Sequence, residues 1–336
     1  MPKLRFAHSR QLPALRALLT EGRALAHDED VTVAAAYHRL GGYASAADPR
    51  SPLRGAHTRA ALGAALLRRE APAIARIVAD AIGTEPVILK GPPVAALHAE
   101  PALRHSGDLD VLVPKDAFRA AAAALEAEGF AHVSVPHGAG AIGEPWEGFA
   151  EAFGHDLMLT RRVGAHALGV EVHWRVGGDP RTSALDHARL SAGAVRTDGL
   201  LAPAAPEQLV VLAVHMVGHL DRRLLMVQDI ALLVRALDDA EWNRAFALAR
   251  ELQLDWELHL ALDAAQAYTG LGRERPGSPP RRPPLGPLAL AGYSMPRVVH
   301  DHAGRLAGLP MRAWPGYAAT VLRATGRRVL NRAGQS

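Results

Sequence analysis

Two aspartates one residue apart carry the most specific chemistry in this chain, in the run Gly107-Asp108-Leu109-Asp110-Val111-Leu112-Val113. The pattern reads as a strand over 109–113, and in a strand alternate side chains share a face. Asp108 and Asp110 then point one way, while Leu109, Val111 and Val113 point into a core. Their Cα atoms would be about 7 Å apart, one strand period, so both carboxylates can reach a divalent cation between them. Such a pair is the protein's usual contribution to two-metal phosphoryl transfer. Without a cation the two charges repel on a half-buried strand. Asp110→Asn is therefore expected to leave the metal-free protein equally or more stable. The plain alternative is a pair of solvated acids at a strand start beside Gly107.

The flanking residues extend the same chemistry. Downstream, in Val170-Glu171-Val172-His173-Trp174, Glu171 and His173 share one strand face. If that strand neighbours the aspartates, Glu171 supplies a third carboxylate, with Asp156 the next candidate. Upstream, Leu89-Lys90-Gly91 is a strand running into a Gly turn and a helix. A turn of that kind exposes backbone N–H groups to a phosphate, which Lys90 could also reach. Lysine occurs only at Lys3, Lys90 and Lys115 among many arginines, which points to a specific use for Lys90. His155, at the opening of a strand, and His173 are both candidate general bases for an acceptor hydroxyl.

Other features carry less. His215 and His219 lie four apart on a helix, but Met216 stands where a zinc protease needs Glu, so a buried, hydrogen-bonded histidine is the reading. Asp229 sits inside an apolar helix and must be paired. His215, His219 and Arg222 are its candidate partners, and the pair would tie two helices together. Gly138-Ala139-Gly140-Ala141-Ile142-Gly143 matches G-x-G-x-x-G literally. Glu144-Pro145 is a poor helix entry, however, and Val163 stands where a dinucleotide fold needs an acid. A flexible active-site loop or a surface loop fits better.

The chain has no cysteine, so any metal must be held by His, Asp or Glu, a set that suits hard cations. Its 38 basic and 34 acidic residues balance to +4, with no basic face interleaved with aromatics, so nucleic acid is not an expected partner. Arg5, Arg10 and Arg16 interrupt the first twenty residues, and the longest apolar run, 209–218, is too short to span a bilayer. A soluble cytoplasmic chain with no membrane partner is expected.

Stepping from helical to alternating and back to helical periodicity, the pattern divides the chain. Residues 1–84 read as a helical N-terminal region, with turns at Gly41-Gly42, Asp48-Pro49 and Ser51-Pro52 and a new helix beginning at Pro72. Residues 85–178 read as the catalytic core. It would have strands at 86–90, 109–113 and 130–135, a helix capped by Asp116, and an antiparallel pair at 155–160 and 167–174 turning at 161–164. Residues 200–270 read as a helical C-terminal domain, 271–287 as a Pro/Arg-rich linker, and 288–336 as a tail with room for a helix at 314–328. The class is α/β (α+β): a small mixed sheet flanked by helices, with helical regions at both ends.

Taken in order, Leu89-Lys90-Gly91, Arg104, Asp108-Leu109-Asp110-Val111-Leu112-Val113, His155, Glu171-Val172-His173-Trp174, His215 and Asp229-Ile230 resemble the uncharacterised bacterial nucleotidyltransferases of the DNA polymerase beta superfamily, over about residues 60–270. The resemblance implies transfer of a nucleotidyl group from an NTP with Mg²⁺ (or Mn²⁺). It implies Asp108, Asp110 and Glu171 as metal ligands and catalytic acids, and Lys90, Gly91 and Arg104 on the nucleotide. His155, His173, His215 and Asp229 would be substrate contacts or a base. Members often accompany natural-product pathways, so a small-molecule or peptide acceptor is implied. Two departures stand out: Gly91-Pro92 replaces Gly-Ser or Gly-Gly, and proline donates no N–H; Glu171 replaces a more usual Asp. A phosphotransferase using the same metal logic and a non-catalytic binder of nucleotide or a partner remain as alternatives.

Overall fold

The computed structural model describes residues 6–133, 155–177, 180–218 and 223–277. The Gly-rich loop at 138–143, His219, Arg222, most of the linker and the tail from 288 onward lie outside the described residues. Within them the architecture is mixed α/β, with eleven α-helices, a five-stranded mixed sheet and a separate two-stranded one.

The sheet is built from β1 (Val87–Ile88), β2 (Asp108–Leu112), β3 (Ala131–His132), β4 (Asp156–Val163) and β5 (His166–His173), in the order β1-β2-β5-β4-β3. Only the β2–β5 pairing is parallel. Its register sets Asp110 opposite Glu171, and β4 sets Asp156 opposite His173. The period of two then sorts the faces. Leu109, Val111, Leu157, Leu159, Val170 and Val172 are fully buried on one side, in a core shared with α4 (Arg54–Ile82) and α6 (Phe118–Ala127). Asp108, Asp110, Glu171, His173 and Asp156 occupy the opposite face. The β4–β5 strands run on to Val163 and His166, so the hairpin turns at 164–165, where Gly164 supplies a positive φ, rather than at 161–164.

The polar face looks toward the helices. Short helix α5 (Pro92–Ala95) follows β1, and α7 (His187–Ala192) precedes the hairpin β6 (Val195–Thr197) and β7 (Leu200–Ala202). Then come α8 (Ala205–Gly218), α9 (Leu224–Ala236), α10 (Asp239–Glu251) and α11 (Asp255–Thr269). These share one core with α1 (Leu12–Glu21), α2 (Glu29–Tyr37) and α3 (Gly41–Ala47), through Leu15, Leu18, Leu40, Leu209, Leu224, Phe246 and Leu258. The described residues contain no helix long and apolar enough to cross a membrane.

Three local expectations differ from the structure. Pro72 lies inside one continuous helix, α4, rather than starting a new one. Proline there forgoes a single hydrogen bond, and the row Leu67, Ala71, Ile74 and Val78 keeps the helix seated on the sheet and α6. Helix α6 begins at Phe118 without a side-chain cap, so Asp116 does not cap it. Gly41-Gly42 opens α3 instead of forming a turn. Gly42 is needed for close approach: a Cβ there would stand 2.7 Å from the Leu103 carbonyl oxygen and 2.8 Å from its Cα. Gly42→Ala is expected to destabilise the fold by about 1–3 kcal/mol, the range for overpacking against atoms that cannot turn aside. Thermal unfolding of the variant checks this, and a melting temperature equal to wild type would contradict the close approach.

Candidate active site

Asp110 is the centre of the arrangement. It is completely buried on β2 between β1 and β5. Its Oδ1 takes the Lys90 ammonium at 2.8 Å and His173 Nε2 at 3.1 Å. The same His173 nitrogen lies 3.3 Å from Glu171 Oε2. Asp110 Oδ2, by contrast, is buried and accepts no hydrogen bond among the described residues. Ligand-capable atoms of Asp110, Glu171 and His173 all lie within 4.8 Å of one another. Asp108 stands one strand period away on the same face, half-buried, at the lip of an open cleft.

The electrostatics follow from that packing. Burial alone would raise the Asp110 pKa, but the Lys90 ammonium and the His173 hydrogen bond hold it well below the usual carboxylate range. Burial would lower His173, yet its hydrogen bonds to Asp110 and Glu171 carry it up to about 10, so it is an imidazolium. Lys90 is opposed by burial and raised on balance by Asp110, Asp108 and Glu171. The expectation of a bare repulsive acid pair is thereby corrected: without metal, Asp110 sits between two cations.

Glu171 behaves differently. Burial and the nearby Asp110 charge push it up to about 7, against the His173 hydrogen bond. A folded-state pKa above the usual 4.5 means the folded protein holds this proton more tightly than the unfolded chain. The stability it contributes is complete below pH 4.5 and is lost as pH rises through 7. Glu171→Gln is therefore expected to be more stable than metal-free wild type above pH 7, with the gap closing below pH 4.5. Melting curves in chelator across that range check this, and a gap that does not vary with pH would remove Glu171 as its cause.

A second buried network closes the other side of the cleft. Asp229, on α9, receives His98 Nε2 at 2.7 Å and Arg104 Nε at 3.1 and 3.0 Å. Arg104 also donates to Ser106 Oγ and, at 3.5 Å, to the Gly91 carbonyl. The Tyr43 hydroxyl meets His98 Nδ1 at 2.7 Å. Asp229 is thus tied to the β1–β2 connection, its partners among the described residues being His98 and Arg104, while the expected partners His219 and Arg222 lie outside the described residues. No local spacing signals those partners, which stand 131 and 125 residues away. His98, Tyr43 and Ser106 were missed by sequence reasoning for that reason. His215 instead accepts from Lys90 at 3.2 Å through Nε2. Gln208 ties α8 to the same strand end by donating to the Leu89 carbonyl at 2.6 Å.

Lys90, Gly91, Arg104, Asp108, His215 and Asp229 line one open cleft, with Arg39, His105 and Arg223 farther out. Gly91 has φ +84° and ψ −123°, a conformation that needs glycine, and precedes α5. With Pro92 and Pro93 next, the turn offers few N–H donors, so the side chains must supply most of the positive charge there. His155 lies on the far side of the cluster. Its Nδ1 is 3.6 Å from Asp156 Oδ1, and its ring is 5.8 Å from the His173 ring.

A family described as uncharacterised nucleotidyltransferase matches residues 24–270, most of the chain. The chain belongs to this family. No curated protein and no solved structure matches the chain. A divalent cation also fits the residues present, because Asp110 Oδ2 is buried with no hydrogen-bond partner among the described residues, in an Asp/Glu/His group that could hold a metal ion.

Proposed function

We propose that the protein transfers a nucleotidyl group from an NTP to a small-molecule or peptide acceptor, using Mg²⁺ or Mn²⁺. The observation that carries the reading is the buried Asp110, with one orphaned oxygen, flanked by Glu171 on one side and by the Lys90, Gly91 and Arg104 wall of the cleft on the other. Asp108, Asp110 and Glu171 are the residues proposed to hold the cation. When bound, a divalent cation polarises the phosphoryl oxygens and neutralises charge building on them.

The chain's own residues do the rest. An ammonium has three donors; Asp110 and His215 take two of those of Lys90, and the third is available to a phosphate oxygen in the cleft. Arg104 is fixed on the same wall by Asp229, so its guanidinium is already oriented when the triphosphate enters. His215 keeps Lys90 turned toward the cleft. The acceptor oxygen forms a bond to the α-phosphorus, the bond to the β-phosphate oxygen breaks, and pyrophosphate leaves on the Lys90–Arg104 side. A cytoplasmic role in natural-product biosynthesis is the setting proposed for the acceptor, and metabolites or precursor peptides of such a pathway are the first acceptors to screen.

Product analysis tests the reading. Each NTP, labelled at the α or the γ position, is incubated with the protein and Mg²⁺ or Mn²⁺. Release of pyrophosphate with transfer of the α-label is expected. Transfer of the γ-label with release of the matching nucleoside diphosphate would make the protein a phosphotransferase, and nucleotide binding without turnover would make it a non-catalytic member of the family.

A further inference from the structure

We infer that Arg39, His105 and Arg223 form a phosphate subsite in the outer cleft, separate from the carboxylate cluster and built for the dianion of a phosphate monoester or a terminal phosphoryl group. The subsite goes beyond the nucleotidyl-transfer reading and does not need it, because it binds phosphate without a metal ion.

Three separate segments supply these residues. Arg39 lies between α2 and α3, His105 lies in the β1–β2 connection, and Arg223 is the N-cap residue of α9. Buried His38 joins the first segment to the last. Burial pushes its ring down to about 4, which keeps it neutral. Its Nε2 donates to the Ala7 carbonyl at 3.2 Å, so Nδ1 carries no proton and accepts from the Leu224 N–H at 3.3 Å. The His38 carbonyl accepts from the Leu225 N–H, also at 3.3 Å. Arg39 follows His38 in the chain and Arg223 precedes Leu224, so this clamp sets both arginines on the lining of one cleft. Those α9 N–H groups are spent on His38, and the arginine side chains are what the helix start brings to the cleft. His105 is placed from the other direction. It follows Arg104, which Asp229 holds, and the close approach of Gly42 to Leu103 docks α3 on the same connection.

Two further observations point to a ligand. Arg39 has φ +57°, in the left-handed region that few side chains adopt. Backbone held there against its preference is over-determined by its surroundings, and such residues cluster at ligand sites. Burial, and then the charges of Arg39, His57 and Arg104, push His105 down to about 4. The imidazole thus reports a positive field in the outer cleft. The described lining sets Arg39, Lys90, Arg104 and Arg223 against Asp108 and Asp229, so its net charge is positive. Such a field selects an anion. Guanidinium forks bind its oxygens bidentately. A carboxylate offers one charge and two oxygens. A phosphate monoester carries about −1.5 to −2 at pH 7 and three acceptor oxygens, a match for two arginines and an imidazole. Two molecules bring such a group into the cleft: the nucleotide, through its terminal phosphoryl group, and an acceptor that is itself a phosphate monoester.

The test is calorimetric titration of the whole chain in chelator with inorganic phosphate and with pyrophosphate, acetate serving as the monoanion. Wild type is expected to bind both phosphates, and acetate far more weakly. Arg39→Gly and Arg223→Gln should each weaken phosphate binding by roughly 10- to 100-fold, the loss of one charged hydrogen bond. Glycine adopts the left-handed backbone freely, so Arg39→Gly should melt at or above the wild-type temperature while it loses the anion. An arginine kept for the fold alone would do the reverse, with a lower melting temperature and unchanged phosphate affinity. Nucleotides then identify the source. Weaker binding of NTP with unchanged binding of NMP in the two variants assigns the subsite to the terminal phosphoryl group. Unchanged binding of every nucleotide with weaker binding of glycerol phosphate assigns it to the acceptor. Wild type that binds neither phosphate in chelator, acetate bound as tightly as phosphate, or unchanged phosphate affinity in both variants would each overturn the subsite. None of these measurements reads metal-dependent turnover, so a failure here is distinct from a failure of nucleotidyl transfer.

Discussion

Asp110→Asn is expected to lower cation-dependent pyrophosphate release by roughly three orders of magnitude, comparable with the loss of a major electrostatic contact in other active sites. The amide preserves the shape of the side chain and removes the charge that draws a hard cation. The mutation should also cost stability in the absence of metal, because Lys90 at 2.8 Å and His173 at 3.1 Å lose the anion between them. Removing one partner of a buried pair typically costs about 3–5 kcal/mol. Two measurements separate these effects. Denaturant unfolding in chelator should show the stability loss, and Mn²⁺ titration of the folded variant should show weakened binding. Turnover at the wild-type rate would sink the metal role of Asp110. Unchanged stability would show that the two cations have other compensation.

The part of this site that was legible in the sequence is the part governed by strand periodicity. Asp108 and Asp110, then Glu171 and His173, share faces because successive side chains alternate, and that rule needs no tertiary information. The buried row opposite them follows from the same rule. The parallel pairing that sets Asp110 beside Glu171 does not. It joins strands on opposite sides of the α6 and β3 region, and only the resemblance to a family pointed to it. The cationic compensation of Asp110 was also hidden, since Lys90 and His173 approach from two different strands. Reading the D-x-D pair in isolation therefore predicts the opposite sign for the metal-free stability of Asp110→Asn from the one that the Lys90 and His173 contacts predict.

The same distinction explains the errors in the helices. Pro72 and Gly41-Gly42 have strong local preferences, and those preferences predict breaks. In the folded chain, α4 is held by the sheet, and Gly42 is buried against Leu103, so tertiary packing outweighs the local signal. Asp229 was rightly read as needing a partner, because a carboxylate at 2% exposure cannot stand alone. Its partners come from the β1–β2 connection, a segment whose histidines and arginines have no helical or strand periodicity to place them.

Lys90 offers the second large effect. It contacts Asp110 and His215 at once, with 14% of its side chain exposed, and it lies just past β1 on the lining of the cleft. Lys90→Ala leaves Asp110 buried with His173 as its remaining cation, so stability in chelator should fall by about 3–5 kcal/mol. Because a divalent cation on Asp110 would supply the missing charge, added Mn²⁺ should restore much of that loss, more than it raises the stability of wild type. A lysine that served the fold alone, with no metal beside it, would give a deficit that Mn²⁺ leaves unchanged. Catalysis should not recover in the same way. The third N–H of the ammonium is the one proposed to meet the triphosphate, and losing a charged hydrogen bond costs about 1.5–3 kcal/mol. Steady-state kinetics at saturating Mn²⁺ should then show a roughly 10- to 100-fold loss in kcat/KM for NTP. Lys90→Arg should rescue little, because a planar guanidinium cannot reproduce a point charge held between Asp110 at 2.8 Å and His215 at 3.2 Å. Wild-type kcat and KM in Lys90→Ala would move the neutralisation of the triphosphate to Arg104 and the arginines farther out along the cleft.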